Sequence, residues 1–346
     1  MRPVLLPPNV IDHFYLGGRQ LAALRGLEQP SPRRPEEWLA ATVARADDPS
    51  VGPSRLADGR LFAEHVMADR EGWTGTAESA PGAGPADTGV LVKLLDAGQR
   101  LPVHVHPTRD FAGAHLHSCY GKTEAWYVLA VEGDDPAVWV GWREDVDPSE
   151  LADRIDAQDS GWMLSRLNKI SVGPGDGILV PAGEPHATGA GVFVVEAQEP
   201  TDLSILLEWS VTRATREESH LDLGFDLALR AVDHRTTTAT QLAALRHRVD
   251  PGHRSADLLR ALPVAADPFF RLHVAAPLGG AVGVDPGFAV LVVIDGHGAL
   301  TWNGADRVTV ERGQAWAVPA GVGGWAVEGE VRAVVCRPSV SWPQLA

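Results

Sequence analysis

The sequence contains very little cysteine: only Cys119 and Cys336 occur in 346 residues. Two cysteines so far apart make neither a disulfide framework nor a thiolate metal site, since both need several cysteines at short, regular spacings. We therefore expect a chain that keeps its thiols reduced, as in the cytoplasm.

Clusters of positive charge are also missing. The chain carries 30 Lys and Arg against 45 Asp and Glu, which gives a formal net charge of −15 and a pI near 5.3. Proteins bind nucleic acids through clustered cations that neutralise phosphates, so we expect no nucleic-acid partner. An anionic small molecule would need a local basic pocket on this acidic protein.

Long apolar segments are absent as well. No apolar run in the sequence reaches the 18 residues or so that a membrane-spanning helix needs. The apolar stretch within residues 1–8 is too short for a secretory signal. We expect no association with a membrane.

Glycine and proline, by contrast, are plentiful, with 36 and 26 residues. They separate short apolar runs, a pattern typical of strands joined by tight turns and therefore of a mainly β fold. Helical signals are fewer. Asp147, Pro148 and Glu150 supply an N-cap, a first-turn proline and a capping-box acid, which predict a helical insertion over residues 147–168. The pattern also predicts two connecting helices, at about 216–232 and 240–247.

One segment occurs twice in altered form. Residues 175–183 (GDGILVPAG) resemble residues 313–321 (GQAWAVPAG), and each copy follows a β-rich run. A chain of this length suits two domains, and an internal repeat of this kind indicates two related β-barrels.

The second copy lacks the polar residues of the first. Continuing the match places Gly324 opposite His186, and aligning Glu-Gly at 132–133 with Asp-Gly at 295–296 places Gly287 opposite Glu124. Only the first barrel can then hold a metal. We expect the following division: a metal-binding domain over 1–212, a helical connector over 213–255 and a metal-free barrel over 256–346.

Four residues in the first half have the side chains of a metal site. His104 and His106 lie two apart on a predicted strand, so both imidazoles project from one face. Glu124 begins an apolar strand, and His186 follows a Pro-Ala-Gly turn. A His-x-His pair alone is more often structural, but these elements in this order, with the repeat, favour one bound divalent ion. Such ligands suit Zn, Mn, Fe, Co or Ni, and ligand type does not choose among them.

The same segments carry a family resemblance. The sequence resembles the type I mannose-6-phosphate isomerases of the cupin superfamily, specifically over about the first 210 residues, in these motifs: FYLGG at 14–18, PEEW at 35–38, KLLDA at 93–97, VHVHP at 103–107, GKTEAWYV at 121–128, VPAGEPHA at 180–187 and VEAQ at 195–198. The resemblance implies two cupin-like jelly-roll barrels. It also implies a metal-dependent isomerase, most simply a zinc enzyme, that interconverts mannose 6-phosphate and fructose 6-phosphate through a cis-enediol.

The resemblance also implies roles for single residues. The metal ligands fall on His104, His106, Glu124 and His186. Lys122, two residues before the ligand glutamate, is the candidate acid/base group. If the resemblance holds, Glu196, His117 or Asp202 would be the second catalytic group, and Arg109 and His117 are the candidates for substrate binding.

The sequence departs from the family pattern at two positions. His104 stands where the family usually has glutamine, which leaves the choice of metal open. Leu206 stands where the family has an arginine that reaches the active site, and this change puts binding of a phosphate group in doubt. The arginines that could replace it are Arg109, Arg213 and Arg216.

Other functions remain open on these residues. One alternative is an isomerase of an unphosphorylated or different sugar. The three-His, one-Glu set also suits a cupin oxidoreductase that uses dioxygen, and Leu206 would fit a non-catalytic sugar-binding cupin. We expect the partner to be a small sugar or sugar phosphate.

Overall fold

The computed structural model describes residues 1–28 and 31–345, and it is mainly β, as predicted. Twelve strands precede residue 210: β1 (Val4–Leu5), β2 (Val10–Ile11), β3 (Glu36–Leu39), β4 (Leu91–Asp96), β5 (His104–Val105), β6 (Glu124–Val131), β7 (Ala137–Trp142), β8 (Leu167–Ser171), β9 (Asp176–Val180), β10 (His186–Thr188), β11 (Val192–Gln198) and β12 (Ile205–Leu206).

Eight more strands follow in the described residues: β13 (Arg246–Arg248), β14 (Leu259–Arg260), β15 (Phe270–Ala275), β16 (Ala281–Val284), β17 (Ala289–Trp302), β18 (Asp306–Glu311), β19 (Ala315–Val318) and β20 (Trp325–Pro338). The α-helices are short: α1 (Gln20–Arg25), α2 (Phe62–Ala68), α3 (Arg70–Thr74), α4 (Arg109–His115), α5 (Pro148–Asp156), α6 (Ser160–Arg166), α7 (Phe225–Ala228) and α8 (Ala239–Ala244). In the described part of the chain, no helix has the length and apolar character to cross a membrane.

Two antiparallel sheets build the first barrel. One has the strand order β13-β9-β6-β11-β4-β3-β2, and the other has the order β12-β5-β10-β7-β8. Side chains from both sheets, among them Trp126, Val194 and Val140, pack into one buried cluster between them. This interior holds the candidate metal ligands.

A third antiparallel sheet forms the second barrel. Its strand order is β1-β19-β17-β20-β15-β14, with β16 paired to β20 and β18 paired to β17. The 14-residue strands β17 and β20 pair along their lengths, and the sheet encloses its own apolar core, which includes Leu291, Leu300 and Val335. The chain's first strand, β1, belongs to this sheet, so the N-terminus ties the two barrels together.

The central strands are apolar on both faces because each face meets a core. In β6, Trp126 and Val128 point into the first barrel, whereas Ala125 and Tyr127 belong to the core that lies between this strand's sheet and the third sheet, that of the second barrel. The period of two in a strand separates the two sets of side chains. The core between the barrels also contains Phe270 of β15.

The connector differs from the expected helix over 216–232. The structure has two short 3-10 turns, Glu217–Ser219 and Leu229–Ala231, around the four-residue helix α7. Leu221, Asp222 and Gly224 all have positive φ, at 53°, 60° and 71°. A continuous helix cannot contain such residues.

The strand register corrects the alignment of the two barrels. Glu124 pairs with Val180, and Val318, the repeat counterpart of Val180, pairs with Ala289. The counterpart of Glu124 is therefore Ala289 and not Gly287. The sequence match was two residues out because it aligned the turn that follows β6 with the middle of the longer strand β17.

Candidate metal centre

Three histidines and one glutamate converge inside the first barrel. One possible ligand atom from each of His104, His106, Glu124 and His186 lies within 4.8 Å of the others. All four residues are buried, with relative exposures of 9% or less. The sequence-predicted metal ligands are thus brought together, although they come from three separate segments.

The strand register explains this convergence. His104 of β5 pairs directly with His186 of β10, and their ring centroids are 4.0 Å apart. His106 follows β5 by one residue and projects from the same face as His104, with the ring centroids 4.9 Å apart. Glu124 opens β6 in the facing sheet, and its Oε2 lies 2.9 Å from His106 Nε2.

Backbone carbonyl groups fix the orientation of each imidazole. The Nδ1 atoms of His104, His106 and His186 lie 2.9, 3.0 and 2.8 Å from the carbonyl oxygens of residues 102, 203 and 184. Each Nδ1 therefore donates its proton outward and leaves the Nε2 lone pair towards the glutamate. Metal-binding histidines show the same outer hydrogen bonds.

The buried polar atoms also fit a cation. His186 Nε2 is buried and has no hydrogen-bond partner in the described part of the chain. Burial lowers the pKa of His106 to about 3 and that of His104 well below its usual value, so these imidazoles are neutral ligands. Burial opposes ionisation of Glu124, but Lys122 and His106 hold its pKa well below normal. A carboxylate with neutral imidazoles is the donor set of a divalent transition metal.

Lys122 lies against the ligand group. Its Nζ is 3.0 Å from Glu124 Oε2 and 3.1 Å from His106 Nε2, and the residue is 4% exposed. The backbone holds it there: Lys122 N–H donates to the Pro107 carbonyl, and the next N–H, of Thr123, donates to Glu199. The lysine is therefore held beside the candidate ligands.

A second buried group of charges lies in the same barrel. Lys93 Nζ is 3.3 Å from Glu36, 3.6 Å from Glu196 and 3.8 Å from Asp202, and it lies over the Trp38 ring at 4.5 Å. Burial alone would lower the pKa of Lys93, but these three carboxylates raise it above its usual value. Burial likewise opposes ionisation of Glu36, yet Lys93 keeps its pKa well below normal.

The two predicted catalytic carboxyl groups have perturbed acidity. Burial and the nearby charge of Glu124 raise the pKa of Glu196 to about 7. Its Oε1 has no hydrogen-bond partner among the described residues, and its Oε2 accepts from Trp126 Nε1 at 3.3 Å. Burial also raises the pKa of Asp202. A carboxyl group that titrates near neutrality is suited to moving a proton.

A cavity of about 620 Å³ connects these groups to the surface. Its lining includes His104, Lys122, Glu124, Glu196 and Asp202, and also Leu206. The other charged side chains in its lining are Glu36, Arg45, Asp47, Lys93, Arg213, Glu217, Glu218 and Asp222. Eight carboxyl groups thus face four Lys or Arg side chains among the described lining residues.

Two predicted substrate-binding residues do not line this cavity. Arg109 lies in α4, where its Nε donates to Glu199 at 2.6 Å and its guanidinium lies over the Phe269 ring. His117 is exposed in the loop that follows this helix. The prediction that Arg109 and His117 contact substrate is therefore not supported: Arg109 links α4 to the segment that carries Lys122, and His117 faces solvent. Arg216 pairs with Asp156 and also lies outside the cavity lining.

Sequence reasoning assigned no function to several residues of the second charged group. Lys93, Glu36 and Tyr15 occur in the motifs that carry the family resemblance, but no role was predicted for any of them. In the structure the Tyr15 hydroxyl donates to Glu36. A signal was present: Lys93 interrupts the apolar run of β4, in which every residue is buried. A lysine in such a strand is rarely buried without paired charges.

The sequence is similar to those of known mannose-6-phosphate isomerases. No family model matches the chain. It is 32% identical over 200 residues to the probable mannose-6-phosphate isomerase GmuF of Bacillus subtilis, an alignment that spans 58% of this chain and 59% of that protein. It is 25% identical over 340 residues to the mannose-6-phosphate isomerase ManA of the same organism, covering 96% and 98% of the two chains.

Solved structures share the fold. The crystal structure of a mannose 6-phosphate isomerase from Bacillus subtilis matches 97% of this chain and 100% of its own, with 24% identity and a TM-score of 0.72. A mannose 6-phosphate isomerase bound with zinc and yttrium matches 98% and 100%, with 14% identity and a TM-score of 0.69. The predicted resemblance to the mannose-6-phosphate isomerases is confirmed, and it supports the expectation of an isomerase.

Proposed function

Because the chain resembles the mannose-6-phosphate isomerases along almost its whole length, we propose that it is a metal-dependent aldose–ketose isomerase. The reaction interconverts mannose 6-phosphate and fructose 6-phosphate through a cis-enediol. One observation carries this proposal: a buried three-His, one-Glu group opens on a cavity that also contains a lysine and carboxyl groups with raised pKa values.

Four residues would hold the ion: His104, His106, Glu124 and His186. A single divalent cation fits this group, and zinc is the first candidate. When bound, the ion would polarise the carbonyl and hydroxyl oxygens of the sugar and stabilise the negative charge that develops on them. The three carbonyl contacts to the Nδ1 atoms keep the imidazoles ready for this task without rearrangement.

The chain itself supplies the proton transfer. An aldose–ketose isomerisation moves a proton between C1 and C2, so it needs a group that can take the proton and return it. Lys122 Nζ lies beside the ligands, 3.0 Å from Glu124 Oε2, and is the first candidate for this group. Glu196, with a pKa of about 7, can accept or donate one at neutral pH, and Asp202 is available on the same wall. Lys93 keeps both carboxyl groups in place.

The phosphate group requires a cation at the cavity mouth. Of the three arginines that could replace the family arginine, Arg213 lines the cavity, whereas Arg109 and Arg216 do not. We assign the phosphate to Arg213. The excess of acidic lining and the apolar Leu206 favour a second candidate, the same isomerisation of an unphosphorylated hexose.

A coupled assay distinguishes the candidates. The metal-analysed protein would be given mannose 6-phosphate, fructose 6-phosphate, mannose and fructose, before and after chelation. The proposal predicts turnover of the phosphorylated pair that chelation abolishes, and an Arg213→Gln variant whose KM rises for mannose 6-phosphate. Turnover of the free sugars alone would select the second candidate, and no turnover of any of them would contradict the isomerase.

The thiols agree with a cytoplasmic setting. Cys119 and Cys336 are both free, and Cys336 is fully buried in the second barrel. Neither needs an oxidising compartment, so we propose that the protein acts in the cytoplasm.

A further inference from the structure

Four basic residues lie on one face of three adjacent strands in the second barrel. Arg260 of β14 pairs with His273 of β15, and Arg271 of β15 pairs directly with Arg337 of β20. Phe270, Leu272 and Val274 of β15 point the other way, into the core between the barrels. Because strand side chains alternate, the four residues share the inner face of the second barrel. We call these three arginines and one histidine (Arg260, Arg271, His273 and Arg337) the arginine cluster. None of them lines the cavity of the first barrel.

The positive charges of the arginine cluster repel one another, above all those of the directly paired Arg271 and Arg337. Like charges directly opposite each other on paired strands destabilise a sheet. Burial and the charge of Arg271 lower the pKa of Arg337 to about 10. Burial and the charges of Arg260, Arg271 and Arg337 lower that of His273 to about 4.

Hydrogen bonds and an ion pair provide partners for only some of the side-chain nitrogen atoms of this cluster. Arg337 Nη2 donates to the Pro286 carbonyl, Arg271 Nε donates to the Pro338 carbonyl, and Arg260 Nη1 pairs with Asp267 at 2.6 Å. Arg337 is 5% exposed, yet its Nε has no hydrogen-bond partner among the described residues, and the same holds for His273 Nδ1. Asp267 and Asp285 are the carboxylates that act on these arginines.

We propose that the arginine cluster binds a compact tetrahedral anion, inorganic phosphate, between Arg271 and Arg337. Guanidinium groups are the donors that proteins use for phosphate, because their planar N–H pairs match two phosphate oxygens. A dianion there would remove the repulsion between the opposed arginines and supply acceptors for the remaining buried N–H groups. This second site is independent of the isomerase chemistry.

The test is phosphate binding by the metal-loaded full chain, measured by calorimetry and by the thermal midpoint at constant ionic strength set with chloride. We expect saturable binding and a midpoint that rises by a few degrees. Arg271→Gln should weaken phosphate binding by about tenfold or more. Without phosphate, the same variant should be at least as stable as the wild type, because it relieves the repulsion.

Three further variants make the result specific. Arg271→Lys keeps the charge and should lose only a few-fold in affinity, and it serves if Arg271→Gln does not fold. Arg307→Gln, a surface change in the same barrel, should bind phosphate as the wild type does, since Arg307 pairs only loosely with Glu328 at 3.5 Å. Inorganic phosphate can also bind at Arg213, to which the substrate phosphate is assigned, so Arg213→Gln should remove only that binding event and leave the one that Arg271→Gln weakens. The proposal is overturned if chloride substitutes for phosphate, or if Arg213→Gln and not Arg271→Gln removes the binding.

Discussion

Lys122 differs from the other lysines of the first barrel in what surrounds its Nζ. Lys93 is enclosed by three carboxylates, and Lys169 lies at the surface beside Asp135. Of these three lysines, Lys122 alone contacts the candidate metal ligands, through Glu124 and His106. In the proposed reaction the proton carrier must lie beside the bound sugar, and Lys122 is the lysine that lies next to the candidate ligands.

Replacing Lys122 by alanine should therefore lower kcat by about 100-fold or more while the protein keeps its metal, because general acid–base groups contribute roughly 10²–10⁴ in rate. Steady-state kinetics with metal analysis of the same sample measures both quantities. Lys169→Ala is the matched control and should be fully active. A Lys122→Ala enzyme with unchanged kcat would remove the lysine from the mechanism.

Glu196 should set the pH dependence of the reaction. A base must be deprotonated to act, and the pKa of Glu196 is raised to about 7. We predict that kcat/KM rises with pH through about 7 and becomes flat above it. Glu196→Gln should lose most of the activity at every pH, whereas Glu217→Gln at the cavity mouth should keep the wild-type profile. A rate independent of pH between 5 and 8 in the wild type would argue against this role.

Strand β5 is only two residues long, so its position depends on contacts outside the sheet ladder. The Arg100 guanidinium binds both carboxylate oxygens of Glu208, at 2.7 and 2.6 Å, and Glu208 also accepts from the Val103 N–H at 2.9 Å. Val103 directly precedes His104. This partly buried ion pair therefore fixes the segment that carries two of the four candidate metal ligands.

Changing Glu208 to Gln should destabilise the fold by about 3 kcal/mol at pH 7, because it leaves a partly buried guanidinium without its counter-charge. Burial opposes ionisation of Glu208, but its hydrogen bonds from Arg100 and Val103 lower its pKa in the folded state. Its contribution is thus complete above the unfolded-state pKa of about 4.3 and disappears as the pH falls through the folded-state value. Urea unfolding should show a difference between variant and wild type that shrinks at acid pH. If the variant is less stable than the wild type by the same free energy of unfolding at pH 7 and at low pH, this explanation is contradicted.

At the level of secondary-structure elements, sequence patterns predicted the strands and the start of α5 but not the broken connector. Short apolar runs between glycines and prolines predicted the strands, and Asp147 does accept from the N–H groups of Ser149 and Glu150 at the start of α5. The broken connector was missed because Leu221 and Asp222 carry no sequence mark of their positive φ. The cluster around Lys93 was missed because burial of a charged side chain depends on partners from distant strands.

The molecule as a whole is held together by the core between the two barrels. The N-terminal strand β1 pairs with β19 of the second sheet, and Arg25 of α1 joins Glu37 at 2.7 Å while donating to the Gly313 carbonyl. The division at residue 212 stays a prediction, and β1 crosses it. The sequence repeat indicated two barrels, but no local pattern showed that they share a core.

Because this core spans both barrels, the protein should unfold in one transition. Phe270→Ala removes a fully buried ring from it and should cost about 3–5 kcal/mol. Denaturation followed by fluorescence and by loss of activity should give coincident curves in wild type and variant. Leu278→Ala, at a residue 66% exposed, is the control and should change little. Two separate transitions would show that the barrels fold independently.

The most direct test of the whole account is metal stoichiometry and affinity in the wild type and in His186→Ala. His186 has no exposure and its Nε2 has no hydrogen-bond partner among the described residues, so its replacement removes a candidate ligand atom without breaking a hydrogen bond of that atom. The account predicts one divalent ion per chain in the wild type and an affinity lower by more than about 100-fold in the variant, since even outer-shell changes cost 10–100-fold. A wild-type protein that takes up no metal, or a His186→Ala variant that binds it equally well, would contradict the account.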